Sequence, residues 1–154
     1  MCVRIPQWAL LLLLVFNVAC TSPHKPMTNA PTPSVNSSTS LVGTDWMLTE
    51  LAGTPVIAAS KASLTFLEGG RVAGNGSCNR FTGAFTVSGD SIKLGPFAST
   101  RMACMDGGVS AQEDKYLKLL DTAKSYEIKD GVLLIYAEGS DKPLQFSRQA
   151  AAKP

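Results

Sequence analysis

Histidine is almost absent from this sequence: of 154 residues only His24 carries an imidazole, and it lies among prolines, serines and threonines. A Ser-His-Asp or Cys-His arrangement needs an oriented ring, and common zinc sites draw on His or several Cys. None can be assembled in the rest of the chain, so no catalytic, metal or cofactor residue is expected. The enzyme routes left are a carboxylate pair, a Lys or Ser nucleophile, or a thiol. Charge of one sign is equally scarce, with 14 Lys and Arg against 12 Asp and Glu and no run of either. That balance argues against a nucleic-acid footprint. No apolar run is long enough to span a bilayer as a stable helix. The four cysteines show no C-x-x-C spacing, which removes the usual signature of a redox-enzyme thiol.

One short apolar run does stand out. After Arg4, residues Trp8 to Phe16 carry no polar side chain, and small residues follow before Cys20. A core helix would show polar residues at helical spacing, so residues 1–19 read as an export signal. Asn17-Val18-Ala19-Cys20 resembles the lipobox of bacterial lipoproteins, although an aliphatic residue is usual where Asn17 stands. The resemblance implies a lipid anchor on Cys20 and a cell-envelope location. Thr21 follows in place of the Asp that resembles an inner-membrane retention signal, which points to the outer membrane, facing the periplasm.

From Thr21 to Ser40 the composition changes to Pro23, Pro26, Pro31 and Pro33 among Ser, Thr and Asn. Such a segment cannot bury enough surface to offset ordering entropy, so residues 20–40 read as the anchor plus a disordered tether. Fully extended, about twenty residues reach on the order of 60 to 70 Å.

Period-two alternation then dominates. Trp46, Leu48 and Glu50 share one strand face, with Gly53-Thr54-Pro55 as a turn. Leu64 to Leu67 runs into Glu68-Gly69-Gly70. Phe81, Gly83, Phe85 and Val87 alternate up to Ser88-Gly89-Asp90, and Ile92 and Leu94 lead to Gly95-Pro96. Tyr126 to Ile128, Asp130-Gly131, Val132 to Ala137, Gly139-Ser140-Asp141 and Leu144 to Phe146 repeat the strand and turn signals. Helical spacing occurs once: Ser110 and Glu113 read as a capping box, followed by Tyr116, Leu117, Leu120 and Ala123. The reading is mainly β: a small antiparallel, barrel-like meander of about seven or eight strands with one α-helix inserted late. Residues 41–148 form the domain and 149–154 a flexible tail. The expected core is Trp46, Leu48, Leu64, Phe66, Phe85, Ile92, Leu133, Ile135 and Phe146.

Several of these residues carry a family resemblance. Trp46-Met47-Leu48 with Leu51 and Gly53, then Cys78-Asn79 with Phe81, Gly83 and Phe85, then Thr100-Arg101-Met102-Ala103-Cys104, with Glu113 opening the helix, resemble a META domain of the HslJ-type heat-inducible lipoproteins. The family usually has Gly where this chain has Ser77. The resemblance implies a compact barrel-like fold with a helix, and an envelope setting in stress or drug tolerance. It implies no reaction.

Cys78 and Cys104 are the thiols left once Cys2 leaves with the leader and Cys20 serves as anchor. In an oxidising compartment the simplest state is a disulfide, which would close a loop of roughly 27 residues and contribute about 3.5 kcal/mol in the chain-entropy model. Two buried free thiols or a reactive thiol are the alternatives. Asn79, Arg80 and Arg101 flank the pair as a possible polar surface patch, with Asn79 bonded to backbone in a turn as the plainer reading. Gly74-Asn75-Gly76 reads as a bulge or turn. Gly107-Gly108 could present N–H groups to an anion or simply reverse the chain. Glu113 and Asp114, adjacent on a helix, do not face each other as a catalytic pair would.

The functional expectation is a non-enzymatic envelope lipoprotein whose domain is an interaction or structural module for an unknown protein. The alternatives are a barrel that admits a small apolar ligand, which needs an unfilled interior above roughly 300 Å³, and an inhibitor of an external hydrolase.

Overall fold

The computed structural model describes residues 41–150. The leader, Cys20, the tether and the end of the tail lie outside the described residues. The chain forms β1 (Thr44–Leu51), β2 (Thr54–Pro55), β3 (Ser63–Leu67), β4 (Arg71–Asn75), β5 (Arg80–Ser88), β6 (Ser91–Leu94) and β7 (Ala98–Ser99). Helix α1 (Gly107–Asp121) and strands β8 (Ala123–Lys129), β9 (Val132–Ala137) and β10 (Leu144–Arg148) complete it.

Eight of these strands close a barrel in the order β1-β3-β4-β5-β6-β8-β9-β10, every neighbour antiparallel, with β10 returning to β1 through Trp46 opposite Arg148 and Leu48 opposite Phe146. The remaining two are short outliers: β2 pairs with β1 and β7 with β5. Tight turns set the hairpin registers. Asp130 and Gly131 adopt φ 52° and 79°, the pair of left-handed residues that a two-residue turn matched to strand twist demands, and Lys129 accordingly pairs with Val132. The first reversal is Ala52-Gly53, so Thr54 and Pro55 belong to β2 and not to the turn.

Period two puts one face of each strand inward. All nine residues expected in the core are buried, and Val72, Phe81, Leu94 and Leu144 join them. From the helix, Tyr116, Leu119 and Leu120 turn into the same core. Edge-to-face aromatic contacts link the layers: Phe66 meets Phe85 at 5.0 Å and Phe81 meets Tyr116 at 5.9 Å between ring centres. Each such side chain contributes roughly 1.5 to 3 kcal/mol by leaving water. Trp46 keeps its indole N–H satisfied inside the barrel by donating to Thr44 Oγ1 at 2.7 Å.

Two helix expectations need correction. The N-cap is Asp106, whose carboxylate accepts from the Gly108 N–H at 2.7 Å, so Ser110 and Glu113 lie inside the helix and form no capping box. Ala123 is the first residue of β8, because the helix ends at Asp121 with Thr122 as C-cap.

Candidate functional site

Three connections converge where β3 begins, β4 ends and β5 begins. They are the β2–β3 segment around Ile57 and Ser60, the β4–β5 turn at residues 76–79, and the β7–α1 segment at residues 100–106. The first half of α1 lies against them, since Gln112 accepts from the Ile57 N–H at 2.9 Å and donates to Ser60 Oγ at 2.8 Å.

At the centre is Glu113. It sits three residues before Tyr116 and seven before Leu120, so helix geometry carries it into the apolar stripe, and it is buried. A lone carboxylate there would cost several kcal/mol. Its Oε2 instead accepts from the backbone N–H of Asn79 at 2.7 Å and of Cys78 at 3.1 Å, and its Oε1 accepts from Asn79 Nδ2 at 2.7 Å. Asn79, also buried, passes the connection on: its Oδ1 accepts from the Met102 N–H at 2.7 Å and the Thr100 hydroxyl at 3.0 Å. One side-chain amide thus ties α1 to the β7–α1 segment. Among the described residues every buried side-chain N or O atom has a partner.

The turn that delivers these N–H groups is built for close approach. A Cβ on Gly76 would lie 2.5 Å from Glu113 Cγ and Oε2, so only glycine fits beneath the carboxylate. Ser77 adopts φ 101°, where a residue with a Cβ is strained by on the order of 1 kcal/mol. Its hydroxyl shares a 2.7 Å hydrogen bond with Ser60 Oγ, and its N–H donates to Asn75 Oδ1 at 2.7 Å.

Over this node Cys78 and Cys104 are joined as a disulfide with Cα atoms 5.9 Å apart. Of the expected polar patch, Arg80 and Arg101 are exposed, while Asn79 lies beneath as the buried relay. Met102 and Met105 are exposed on the same segment. Gly108 offers no free N–H to an anion, because Asp106 already occupies that position. Gly74 and Asn75 finish β4, and the Gly76 N–H closes the turn onto Asn79 O at 2.7 Å.

Sequence reasoning reads Glu113 as half of a capping box and misses it as the organiser of the site. Its position on the apolar stripe was the available signal. The titrating groups whose environment moves them are Tyr116, raised well above the usual phenol value by burial, and two on the outer face. Tyr136 is raised because its hydroxyl donates to Glu127 at 2.6 Å, and Glu138 is lowered by Lys124 at 2.8 Å.

The barrel interior is occupied by Trp46, Leu48, Leu64, Phe66, Phe81 and Phe146 with Tyr116. An apolar ligand would have to displace them. Two clefts, of about 290 and 330 Å³, lie outside the barrel, beside Gly43 and Arg148 and along β5 and β7 respectively.

This arrangement defines a class: a small closed β-barrel with a filled interior, whose late helix contributes a buried carboxylate that clamps a disulfide-linked end. Residues 39–151 match the META domain, and the chain belongs to that family. The resemblance to HslJ-type members is consistent with it. Among solved structures, the chain is similar to a protein from Burkholderia xenovorans determined by NMR, at 25% identity and TM-score 0.57 over 71% of this chain and 84% of that one. It shares its fold with a DUF4847 family protein from Bacteroides vulgatus, at 16% identity and TM-score 0.54 over 71% and 96%. No curated protein matches the sequence.

Proposed function

We propose that the protein is an envelope lipoprotein, held to the outer membrane through Cys20, whose META domain is a non-enzymatic interaction module in stress or drug tolerance. The observation that carries this reading is the Cys78–Cys104 disulfide. Such bonds persist in oxidising compartments outside the cytoplasm, where the leader and the Ala19-Cys20 junction would deliver the chain. The binding-module half draws support from the Glu113 carboxylate: with three N–H donors upon it, it is committed to holding the fold. The exposed groups around it, Arg80, Arg101, Met102 and Met105, suit contact with another molecule.

The anchor is tested by fractionating cells that express Cys20→Ala. The variant is expected in the soluble periplasmic or extracellular fraction while the parent sediments with membranes. A variant that still sediments would remove the anchor from this reading.

A further inference from the structure

We propose that the free edge of β7 and the groove beside it form a docking site for an extended polypeptide segment bearing an acidic side chain. The inference rests on the interaction-module reading and names the partner class.

Closing a barrel abolishes sheet edges, so the eight main strands offer none along their paired lengths. The two outliers keep one edge each, and they differ. β2 consists of Thr54 and Pro55, and Pro55 has no N–H to offer. β7 consists of Ala98 and Ser99, both exposed, with Thr100 exposed beyond them. Ala98 lies opposite Thr82, and the Thr100 N–H donates to Arg80 O at 3.0 Å, so these two residues face β5. Alternation along an antiparallel strand then turns the Ser99 N–H and C=O away from β5. Neither has a backbone partner among the described residues. The Ser99 edge therefore presents one donor and one acceptor in strand geometry, which is what strand addition uses for affinity.

Beside that edge runs the groove of about 330 Å³, lined by Arg80, Phe81 and Thr82 of β5 and by Ala98, Ser99 and Thr100. Arg80 is exposed at its rim and has no ion pair among the described residues, and Arg101 follows the last lining residue. The uncompensated Arg80 guanidinium on the groove wall, with exposed Arg101 next along the chain, selects a segment that carries a carboxylate. The disulfide and the Asn79 amide hold Thr100 and Met102 in place, so the edge is formed before a partner arrives.

The test is an NMR titration of the full chain carrying Cys20→Ser with the blocked peptide acetyl-Thr-Val-Glu-Val-Thr-amide and its Gln analogue. Main-chain pairing tolerates sequence, so this probe suffices. Saturable shifts confined to residues 80–82 and 97–101 are expected, with the Ser99 amide protected from exchange. The Gln analogue is expected to bind about fivefold more weakly, the value of one exposed charge pair. Ser99→Pro takes away the outward N–H without breaking a ladder bond and is expected to weaken binding at least about tenfold. The proposal is overturned if no peptide saturates, if the shifts fall elsewhere, or if Ser99→Pro or the Gln analogue binds equally well. Concentration-dependent shifts at Ser99 without peptide would assign the edge to a second copy of the chain and overturn it too. None of these outcomes depends on the anchor, so failure here is distinguishable from failure of the envelope assignment.

Discussion

The barrel interior and the Asn79–Glu113 node are both closed to water, but they hold the protein together in opposite ways. The interior is a volume of apolar side chains whose attraction has no direction, so a replacement of similar size restores most of it. The node is a set of donors aimed at two carboxylate oxygens and one amide oxygen. There a change that preserves shape but alters one atom leaves buried groups unpaired. One region specifies compactness, and the other specifies where the disulfide-linked segments sit relative to the helix.

Mutation distinguishes the two regions. Trp46→Ala removes the largest interior side chain and is expected to cost about 3 to 5 kcal/mol in urea unfolding; a loss under about 1 kcal/mol would mean the indole is not core. Glu113→Gln keeps the volume but turns an amide N–H₂ toward existing donors, and about 2 to 3 kcal/mol is expected. Ile135→Val, which removes a methyl group from the interior, is expected to cost only about 1 kcal/mol. If the isosteric change at Glu113 proves cheaper than the truncation at Ile135, the distinction between the two regions fails.

A smaller effect is expected where the two regions meet. Tyr116 lies in the apolar core, and its hydroxyl donates to Ser63 O at 3.2 Å. Burial raises its ionisation above the usual phenol value. The stability linked to this proton is fully present below the unfolded value of about 10 and is lost as pH climbs toward the folded value. The urea midpoint is therefore expected to fall as pH rises above about 10, and to fall less in Tyr116→Phe. An identical decline in both proteins would show that the phenol does not titrate with unfolding.

Much of the interior was legible because period two and turn chemistry are local. Asp130-Gly131, Ser88-Gly89-Asp90 and Gly69-Gly70 marked their hairpins, and the alternating large side chains between them are the ones found buried. The node was legible only in fragments. Ser110-x-x-Glu113 fits a capping box, but the same four residues fit a helix interior, and Asp106 captures the helix start four residues before Ser110. Asn79 read as a turn residue because nothing near it in sequence shows that its amide reaches residues 100, 102 and 113. β7, two residues long, has no periodicity to read, and its position depends on Phe97 packing against Phe81 at 5.3 Å. The pairing of β1 with β10 joins residues about a hundred positions apart, beyond any local signal.

The most direct test of the central claim is mass spectrometry, intact and at the peptide level, of the protein recovered from its own membranes without and with reductant. The expected result is a chain beginning at an acylated Cys20, with a Cys78–Cys104 cross-linked peptide that separates only on reduction. An unacylated N-terminus together with two free thiols would contradict it, removing both the anchor and the bond from which the envelope assignment is argued.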